Sequence, residues 1–250
     1  MLVTGGARRI GRDIALRLAS SGRDVAVHYR RSQTDAQSTV AECRSLGVQA
    51  EAFEADLSGE ATCRALVPAV VDRFGRLDAV VNNASTFEYD NVASFSHASM
   101  ERHWRANVAP AVILAQALHD HVAGRDGIGC VVNLIDQKLW NPNPDYLSYT
   151  LSKAALEAAN TMLAIALAPA VRVCGVAPGV TLVSGPMSAQ QLAQAQALTP
   201  LQRSSSAADI AHAVCFLLDA PAITGTTLIV DGGQHLEAQR RDVLYLTREG

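Results

Sequence analysis

Short apolar runs alternate with helical patterns along the whole chain, and this alternation is the feature that most restricts its fold. Such an alternation is typical of βαβ units, in which buried parallel strands are joined by helices. The predicted strands cover residues 1–3, 24–29, 50–57, 77–85, 130–135, 171–177 and 226–230, where the range 77–85 includes the turn that follows the strand. The predicted helices cover residues 34–46, 60–74, 99–123, 146–168 and 207–218, with a further helix directly after the first strand. This order predicts an α/β fold, a doubly wound parallel sheet of about seven strands with helices on both faces.

A glycine-rich turn joins the first strand to the first helix. The turn is the run Thr4-Gly5-Gly6-Ala7-Arg8-Arg9-Ile10-Gly11. Glycines let the backbone approach a pyrophosphate closely, and the positive end of the helix dipole attracts the same group. The turn therefore predicts a Rossmann-like dinucleotide site at the start of the first helix.

The end of the second predicted strand indicates which dinucleotide is bound. His28 and Tyr29 lead into Arg30, Arg31 and Ser32, with no acidic residue to accept a hydrogen bond from a ribose 2′-hydroxyl. Two guanidinium groups and a hydroxyl suit a 2′-phosphate, because arginine donates paired, charge-assisted hydrogen bonds to it. We therefore predict NADP(H) as the cofactor. A basic surface turn is the alternative.

Composition favours an ordered chain, and the continuous alternation of strands and helices favours one domain over residues 1–250. Hydrophobic residues make up 49% of the chain and charged residues 18%, which is enough apolar material for a large core. The sequence contains no repeats, low-complexity tracts or linker-like stretches. The formal net charge of −3 argues against nucleic acid as the main partner.

The cysteines and histidines predict neither disulfides nor a metal site. The five cysteines are scattered and form no CxxC pair, which is typical of buried, reduced thiols in a cytoplasmic protein. His119 and His121 are two residues apart and point in different directions on a helix, so surface placement is favoured over metal binding. No apolar run approaches the ~20 residues needed to cross a bilayer, and Met1 does not begin a signal-peptide pattern. We expect a cytoplasmic protein that does not bind membranes.

The segment from Asp136 to Lys153 carries the candidate chemistry. Tyr149 and Lys153 are four residues apart, so on a helix they project from one face. An ammonium near a phenol favours the phenolate, which allows proton exchange near neutral pH. Asp136 follows a buried strand and faces the same helix, so the three residues predict a proton relay. A solvated helix face with a loop carboxylate is the alternative.

The sequence resembles the short-chain dehydrogenase/reductase family over essentially its whole length. The motifs that carry the resemblance are the turn Thr4–Gly11, Asn82-Asn83-Ala84, Tyr149-x-x-x-Lys153 and Pro178-Gly179. The resemblance implies that Tyr149 is the acid/base and that Lys153 lowers its pKa and binds the nicotinamide ribose. It also implies that Asn107 holds a water in the proton path and that Asp56 contacts the adenine. The predicted cofactor contacts are Gly5, Arg8, Arg9, Ile10, Gly11, His28, Tyr29, Arg30, Arg31, Ser32, Asp56, Leu57, Asn83, Ala84, Ser85, Tyr149, Lys153, Pro178 and Gly179.

Two departures from the family pattern point to a subgroup. Arg9 replaces a common glycine of the turn, and Asp136 replaces the catalytic serine 13 residues before Tyr149. An ionised carboxylate cannot donate to a substrate carbonyl as the serine does. Both changes are similar to those in the pteridine reductases and the related bacterial dihydromonapterin reductases. Further similar segments are residues 28–32, the Asn83-Ala84-Ser85 ending, Phe87 and the run 202–205.

The chemistry of a pterin suits these residues. A flat heteroaromatic ring with a C=N bond to reduce needs a stacking partner, a hydride and a proton for nitrogen. Phe87 can stack, Arg9 can bridge the cofactor phosphates and the polar edge of the pterin, and Tyr149 with Asp136 can deliver the proton. With Ser85, these are the predicted substrate residues. We predict reduction of a dihydropterin to a tetrahydropterin, with dihydrofolate as a second substrate.

Two alternatives stay open. The first is a general NADPH-dependent carbonyl or 3-oxoacyl reductase, in which Asp136 is a tolerated replacement for serine. The second is a non-catalytic NADPH-binding sensor, against which the intact Tyr149, Lys153 and Asn107 argue.

Three features outside the predicted catalytic site remain. The resemblance implies a homotetramer with helices 99–123 and 146–168 at one interface. Residues 180–200 are rich in glutamine and alanine without a strand pattern, which predicts a substrate loop or lid. The tail 234–250 either reaches the site of a neighbouring subunit or caps its own core.

Overall fold

A single parallel sheet runs through the centre of the molecule. The structure is a computed structural model that describes residues 1–183 and 187–246. The strands are β1 (Leu2–Val3), β2 (Val25–Tyr29), β3 (Ala50–Glu54), β4 (Ala79–Asn82), β5 (Gly129–Leu134), β6 (Val171–Pro178) and β7 (Thr227–Val230). They pair in the order β3–β2–β1–β4–β5–β6–β7, with every pairing parallel. The predicted Rossmann-like α/β fold is confirmed.

Helices cover both faces of the sheet, as buried parallel strands require. They are α1 (Arg9–Ser20), α2 (Gln33–Ser45), α3 (Glu60–Phe74), α4 (His97–His103), α5 (Ala109–Ala123), α6 (Leu147–Ala166), α7 (Ala189–Ala197), α8 (Ala207–Asp219) and α9 (Val243–Leu246). One apolar core lies between the sheet and α1, α2 and α8, and includes Ile14 and Val214. A second core lies on the opposite face under α3 and α5, and includes Leu66 and Leu118.

The strand order places the site. The chain leaves β1 in one direction towards β2 and in the other towards β4, so a crevice opens beyond the carboxyl ends of these strands. The glycine turn follows β1, Arg30 follows β2, Asn83 follows β4 and Asp136 lies just beyond β5. All four candidate segments therefore meet at one edge of the sheet.

Several predicted boundaries need correction. The third strand ends at Glu54 rather than residue 57, the fourth is limited to Ala79–Asn82, and α6 ends at Ala166 rather than 168. The predicted helix 99–123 is divided into α4 and α5 by a π-helical turn at Trp104–Val108. Pro110 has no N–H to donate, so regular α-helical hydrogen bonding is interrupted immediately after the turn.

The predicted loop 180–200 contains a helix. Helix α7 begins with a capping box, in which the Ser188 hydroxyl accepts from the backbone N–H of Gln191 and the Gln191 side chain accepts from the N–H of Ser188. The spacing Ser-x-x-Gln is the sequence signal that was missed. Residues 184–186 of this predicted loop lie outside the described residues.

The tail folds back onto its own chain as far as it is described. A single 3₁₀ turn covers Gln234–Leu236, and Val243 and Leu244 of α9 are buried against Met187 and Ala195. The described part of the tail therefore packs on its own chain. Residues 247–250 lie outside the described residues.

The thiols are as predicted, all five free and buried. Within residues 1–183 and 187–246, no cluster of His, Cys, Asp or Glu is placed to hold a metal ion. No helix in the same part of the chain is long and apolar enough to cross a membrane.

Candidate active site

One cavity of about 760 Å³ extends along the carboxyl ends of the strands, from the glycine turn to the C-terminal tail. Its size is within the range of sites for cofactors and small molecules. Every residue predicted to contact cofactor or substrate lines it, from Gly5 and Arg30 to Phe87, Asp136 and Gly179. The structure therefore brings these residues together, while their individual roles stay predictions.

The glycine turn fits a pyrophosphate by close backbone packing. Gly5 has a φ of +62°, and a β-carbon on Gly11 would lie 2.2 Å from the Gly5 carbonyl oxygen. The Thr4 hydroxyl accepts from the backbone N–H groups of Asn83 and Ala84, at 2.9 and 3.0 Å. The turn is thus held against the end of β4. Residues 8–11 at the start of α1 line the cavity, and backbone N–H groups in the first turn of a helix can bind an anion.

His28 supports the turn from the second strand. The ring is buried, and its Nδ1 accepts from the Gly5 N–H at 3.0 Å while Nε2 lies 3.0 Å from the Ala55 carbonyl oxygen. This pairing requires the neutral tautomer with its hydrogen on Nε2, and burial lowers the pKa of His28. The side chain therefore links the turn to the segment after β3 as well as lining the cavity.

Arg9 adopts a backbone conformation that explains why glycine is common at its position. Its φ is +55°, in the left-handed region where a side chain costs on the order of 1 kcal/mol. The residue is exposed at the first position of α1 and lines the cavity. A strained arginine directed towards a ligand cavity is a candidate ligand contact.

The arginines after β2 are available for an anion. Arg30 and Arg31 are exposed, and neither forms an ion pair within the described residues. Asp56, across the cavity mouth, accepts hydrogen bonds from the N–H and hydroxyl of Ser58, which together with these arginines lower its pKa. The two exposed guanidinium groups on this part of the cavity wall fit the 2′-phosphate of NADP(H), because arginine forms charge-assisted hydrogen bonds with phosphate.

The catalytic candidates lie in direct contact. The Tyr149 hydroxyl, in the first turn of α6, donates to Oδ2 of Asp136 at 2.8 Å. The other carboxylate oxygen of Asp136 accepts from the backbone N–H of Lys138 at 2.9 Å. Lys153, one turn along α6, donates from Nζ to the Leu134 carbonyl oxygen at 2.6 Å and lies 5.7 Å from the centre of the Tyr149 ring.

The pKa of Tyr149 is shifted in the direction opposite to the expected lowering by Lys153. Burial and the neighbouring Asp136 carboxylate raise the pKa of Tyr149 well above its usual range. Burial also raises the pKa of Asp136 and lowers the pKa of Lys153 to about 8. A nearby ammonium alone would lower the pKa of Tyr149, but the Asp136 carboxylate is in hydrogen-bonding contact and stabilises the protonated phenol. Tyr149 is therefore held as a proton donor.

Asn107 lies behind the cavity rather than on its wall. Its amide oxygen accepts from the Thr86 N–H at 2.7 Å, and its Nδ2 donates to the Thr86 carbonyl oxygen and to the Ser152 hydroxyl. A void of about 10 Å³ beside Asn107 and Lys153 approaches the size of one water. The predicted water-holding role stays a prediction, and the side chain also fixes the 84–87 segment.

Phe87 lies on the cavity wall with part of its ring exposed. Its side chain is 41% exposed. One face stacks on Tyr146, with ring centres 4.1 Å apart and planes at 16°, and Tyr149 meets Phe87 edge to face at 4.7 Å. Ser85 is exposed on the same cavity wall. The aromatic pair leaves ring surface open to the cavity.

The Pro178–Gly179 turn is closely packed from behind. A β-carbon on Gly179 would lie 2.5 Å from the Ser204 hydroxyl, so the position has no room for a side chain. Ser205 exchanges a hydrogen bond with Thr181 at 2.7 Å. The run 202–205 therefore shapes this end of the cavity.

Several residues that line or support the cavity near Asp136 were not predicted from the sequence. Gln137 is buried there, and its Oε1 has no hydrogen-bond partner within the described residues. Lys138, Asp242 and Val243 also line the cavity, and Tyr146 supports Phe87. Only Gln137 and Lys138 had a signal in the sequence, namely their position directly after Asp136.

Comparison with known proteins places the chain in a family. The profile of a family described as enoyl-(acyl carrier protein) reductase matches residues 5–235. The FolM alternative dihydrofolate reductase 1 of Brucella suis, solved in complex with NADP, is 40% identical, with a TM-score of 0.91 and 95% of each chain covered. Pteridine reductase 1 of Leishmania tarentolae is 33% identical, covering 94% of this chain and 96% of its own. A 3-oxoacyl-(acyl-carrier-protein) reductase of Staphylococcus aureus is 32% identical, covering 94% and 97%.

The two curated relatives are almost equally similar to this chain, so sequence identity to them does not select a substrate. Both relatives match this chain over nearly the whole length of each protein. With the parallel sheet, the glycine turn and the Tyr149–Lys153 pair, the matches identify the protein at the level of family. The chain belongs to the short-chain dehydrogenase/reductase family of NAD(P)-dependent oxidoreductases.

Proposed function

We propose that the protein reduces a pterin with NADPH, converting a dihydropterin to a tetrahydropterin and accepting dihydrofolate as a second substrate. The observation that carries the proposal is the 2.8 Å hydrogen bond from Tyr149 to Asp136. The usual serine would donate to a substrate oxygen, whereas this carboxylate accepts from the tyrosine. The pair is suited to protonating a ring nitrogen rather than to binding a carbonyl.

The protein supplies position and a proton. NADPH, when bound, supplies the hydride to the ring carbon of the C=N bond. Phe87, stacked on Tyr146, would lie against one face of the substrate ring. Tyr149 would then donate its proton to the adjacent nitrogen and become a phenolate. Asp136, whose pKa is raised by burial, would take up a proton from solvent and pass it to that phenolate.

Two of the relatives have names that agree with this chemistry. The Brucella protein is called an alternative dihydrofolate reductase and the Leishmania protein a pteridine reductase. Their names support a pterin or folate substrate, and the Asp136–Tyr149 contact gives a physical reason for it. The Staphylococcus relative supports the second candidate, a 3-oxoacyl or general carbonyl reductase.

A direct assay tests the proposal. Purified protein is first shown to bind NADPH, and NADPH oxidation is then followed with dihydrobiopterin, dihydromonapterin, dihydrofolate and a 3-oxoacyl thioester. We expect turnover of at least one dihydropterin and poor turnover of the thioester. Thioester reduction alone would favour the second candidate. Cofactor binding without hydride transfer to any of these substrates would favour the non-catalytic sensor.

Cofactor preference should depend on the arginines after β2. We expect the double substitution Arg30→Ala and Arg31→Ala to raise KM for NADPH about tenfold to a hundredfold, because it removes charge-assisted bonds to the 2′-phosphate. KM for NADH, which lacks that phosphate, should change little and is the internal control. Steady-state kinetics with both cofactors give the result. An equal effect on both would mean that the arginines do not read the phosphate.

The rate should fall at alkaline pH because of Lys153. Burial lowers the pKa of Lys153 to about 8, so its ammonium loses the proton as pH rises through that value. The positive charge that would stabilise the phenolate formed when Tyr149 donates its proton is then lost. The pKa of Tyr149 is raised, so the phenol stays protonated over the same range and does not cause the fall. We expect kcat for the dihydropterin to decline with an apparent pKa of about 8. A kcat that stays constant well above this pKa would show that the charge is not needed.

Assembly as a homotetramer is proposed on family grounds. Leu151, Met162 and Ile165 of α6 are exposed, with Ile165 at 75%. Exposed apolar side chains on a long helix suit burial against another subunit.

A further inference from the structure

Residues 239–246 of the C-terminal tail, hereafter the tail, are bound tightly to the loop 137–146, which follows Asp136. Arg241 donates from Nε and Nη2 to the two carboxylate oxygens of Asp145, at 2.8 and 2.9 Å. The backbone N–H of Asp242 donates to the same carboxylate at 2.8 Å. Paired bonds of this kind fix direction as well as distance. The Asp145 side chain is buried, so the contact is sheltered from solvent on one side.

A second charged contact connects the tail to Asp136. The Lys138 ammonium donates to the Asp145 carbonyl oxygen at 2.6 Å and lies 3.5 Å from the Asp242 carboxylate. The backbone N–H of the same lysine holds Asp136 at 2.9 Å. Lys138 therefore contacts both the tail and Asp136, the carboxylate that accepts the Tyr149 hydrogen bond.

An aromatic series forms the other connection. Tyr245 of the tail contacts Tyr89, with ring centres 5.8 Å apart. Tyr89 packs edge to face on Tyr146 at 5.2 Å, and Tyr146 stacks on Phe87 at 4.1 Å. Tyr146 directly follows Asp145 in sequence. Movement of the Arg241–Asp145 contact would consequently move the ring on which Phe87 rests.

The tail also forms part of the cavity wall. Gln239, Asp242 and Val243 line the cavity, at the end opposite the arginines that follow β2. Burial alone would raise the pKa of Asp145, but Arg241, the Asp242 N–H and Lys138 outweigh it and keep that pKa below its usual value. The carboxylate is therefore ionised at neutral pH and the contact is a true ion pair.

We infer that the tail is the outer wall of the substrate site within its own subunit, and that Arg241 is a positioning residue for substrate binding. It holds the loop 137–146, and through that loop the Phe87–Tyr146 stack. The inference rests on the proposed function insofar as a flat ring is the ligand that this stack receives. It predicts an effect on substrate affinity that leaves the distant nucleotide end unchanged.

The neighbouring arginine provides a matched control. Arg240 is exposed and makes no ion pair within the described residues, so Arg240→Ala and Arg241→Ala remove the same side chain one position apart. At saturating NADPH we expect Arg241→Ala to raise KM for the dihydropterin about tenfold, with kcat changed much less. Arg240→Ala should match the wild type. The dissociation constant for NADPH should be the same in all three proteins.

A conservative variant and a measurement without turnover complete the test. Arg241→Lys keeps the charge but loses the paired geometry, so its KM should lie between those of wild type and Arg241→Ala. Hydrogen–deuterium exchange should increase in residues 137–146 as well as in the tail of Arg241→Ala, and in neither segment of Arg240→Ala.

The outcomes separate the two proposals. If the wild type reduces no pterin, the proposed function fails, while faster exchange in residues 137–146 of Arg241→Ala still supports the tail as a structural wall. If the wild type reduces a dihydropterin and Arg241→Ala has the KM of Arg240→Ala, the positioning role is overturned. If Arg241→Ala does not fold, an Arg241→Lys protein with wild-type KM and wild-type exchange in residues 137–146 overturns it.

Discussion

Replacing Tyr149 by phenylalanine is expected to lower kcat for dihydropterin reduction by about 10³-fold, within the range for loss of a positioned general acid. The substitution removes the hydroxyl that donates to Asp136 at 2.8 Å and leaves the ring that meets Phe87 edge to face. Because the pKa of Tyr149 is raised by burial and by Asp136, the wild-type phenol is protonated and ready to donate. The variant has no proton to give at that position.

The measurement is kcat at saturating NADPH and dihydropterin, with NADPH binding measured separately. Tyr146→Phe is the control, since it makes the same chemical change three residues away and keeps the ring stacked on Phe87. We expect Tyr146→Phe to stay within a few-fold of wild type. A Tyr149→Phe protein with nearly normal kcat would show that the proton comes from another group, such as water.

Local patterns were enough to predict the fold, and the residues that they predicted for the nucleotide line one cavity. The turn Thr4–Gly11 lies within one strand–helix unit, and its glycines are required by contacts inside that unit, such as Gly11 against the Gly5 carbonyl. Arg30 and Arg31 follow directly from the end of β2. Where the determining contacts are close in sequence, a pattern of residues carries the information.

The substrate end depends on contacts between distant segments, and there the sequence was insufficient. Arg241 pairs with a residue 96 positions away, and no spacing rule links the two. Tyr146 was predicted only as the start of a helix, yet it supports Phe87, which lies far from it in the sequence. The direction of the Tyr149 pKa was wrong for a related reason, because the effect of Asp136 depends on a distance that the sequence does not give.

Replacing Asp136 by serine should exchange one substrate class for another. The serine hydroxyl can donate to a substrate carbonyl, which an ionised carboxylate cannot, so we expect ketone or 3-oxoacyl reduction to rise from a low level. Pterin reduction should fall about 10²-fold or more, because the group that accepts from Tyr149 and returns its proton is lost. Removing the negative charge should also lower the pKa of Tyr149, since Asp136 contributes to raising it.

Asp136→Asn separates the two effects of that substitution. Its amide oxygen can still accept from Tyr149, but it cannot carry a proton to the phenol, and it introduces no hydroxyl for a carbonyl. We expect it to lose pterin turnover without gaining ketone reduction.

The test is kcat/KM of wild type and both variants on one dihydropterin and one 3-oxoacyl thioester. A serine variant that keeps full pterin activity would show that the carboxylate is not part of the proton path. A serine variant that reduces neither substrate while still binding NADPH would show that Asp136 has a structural role. If the wild type already prefers the thioester and the serine variant improves it, the protein is a carbonyl reductase in which aspartate replaces serine imperfectly.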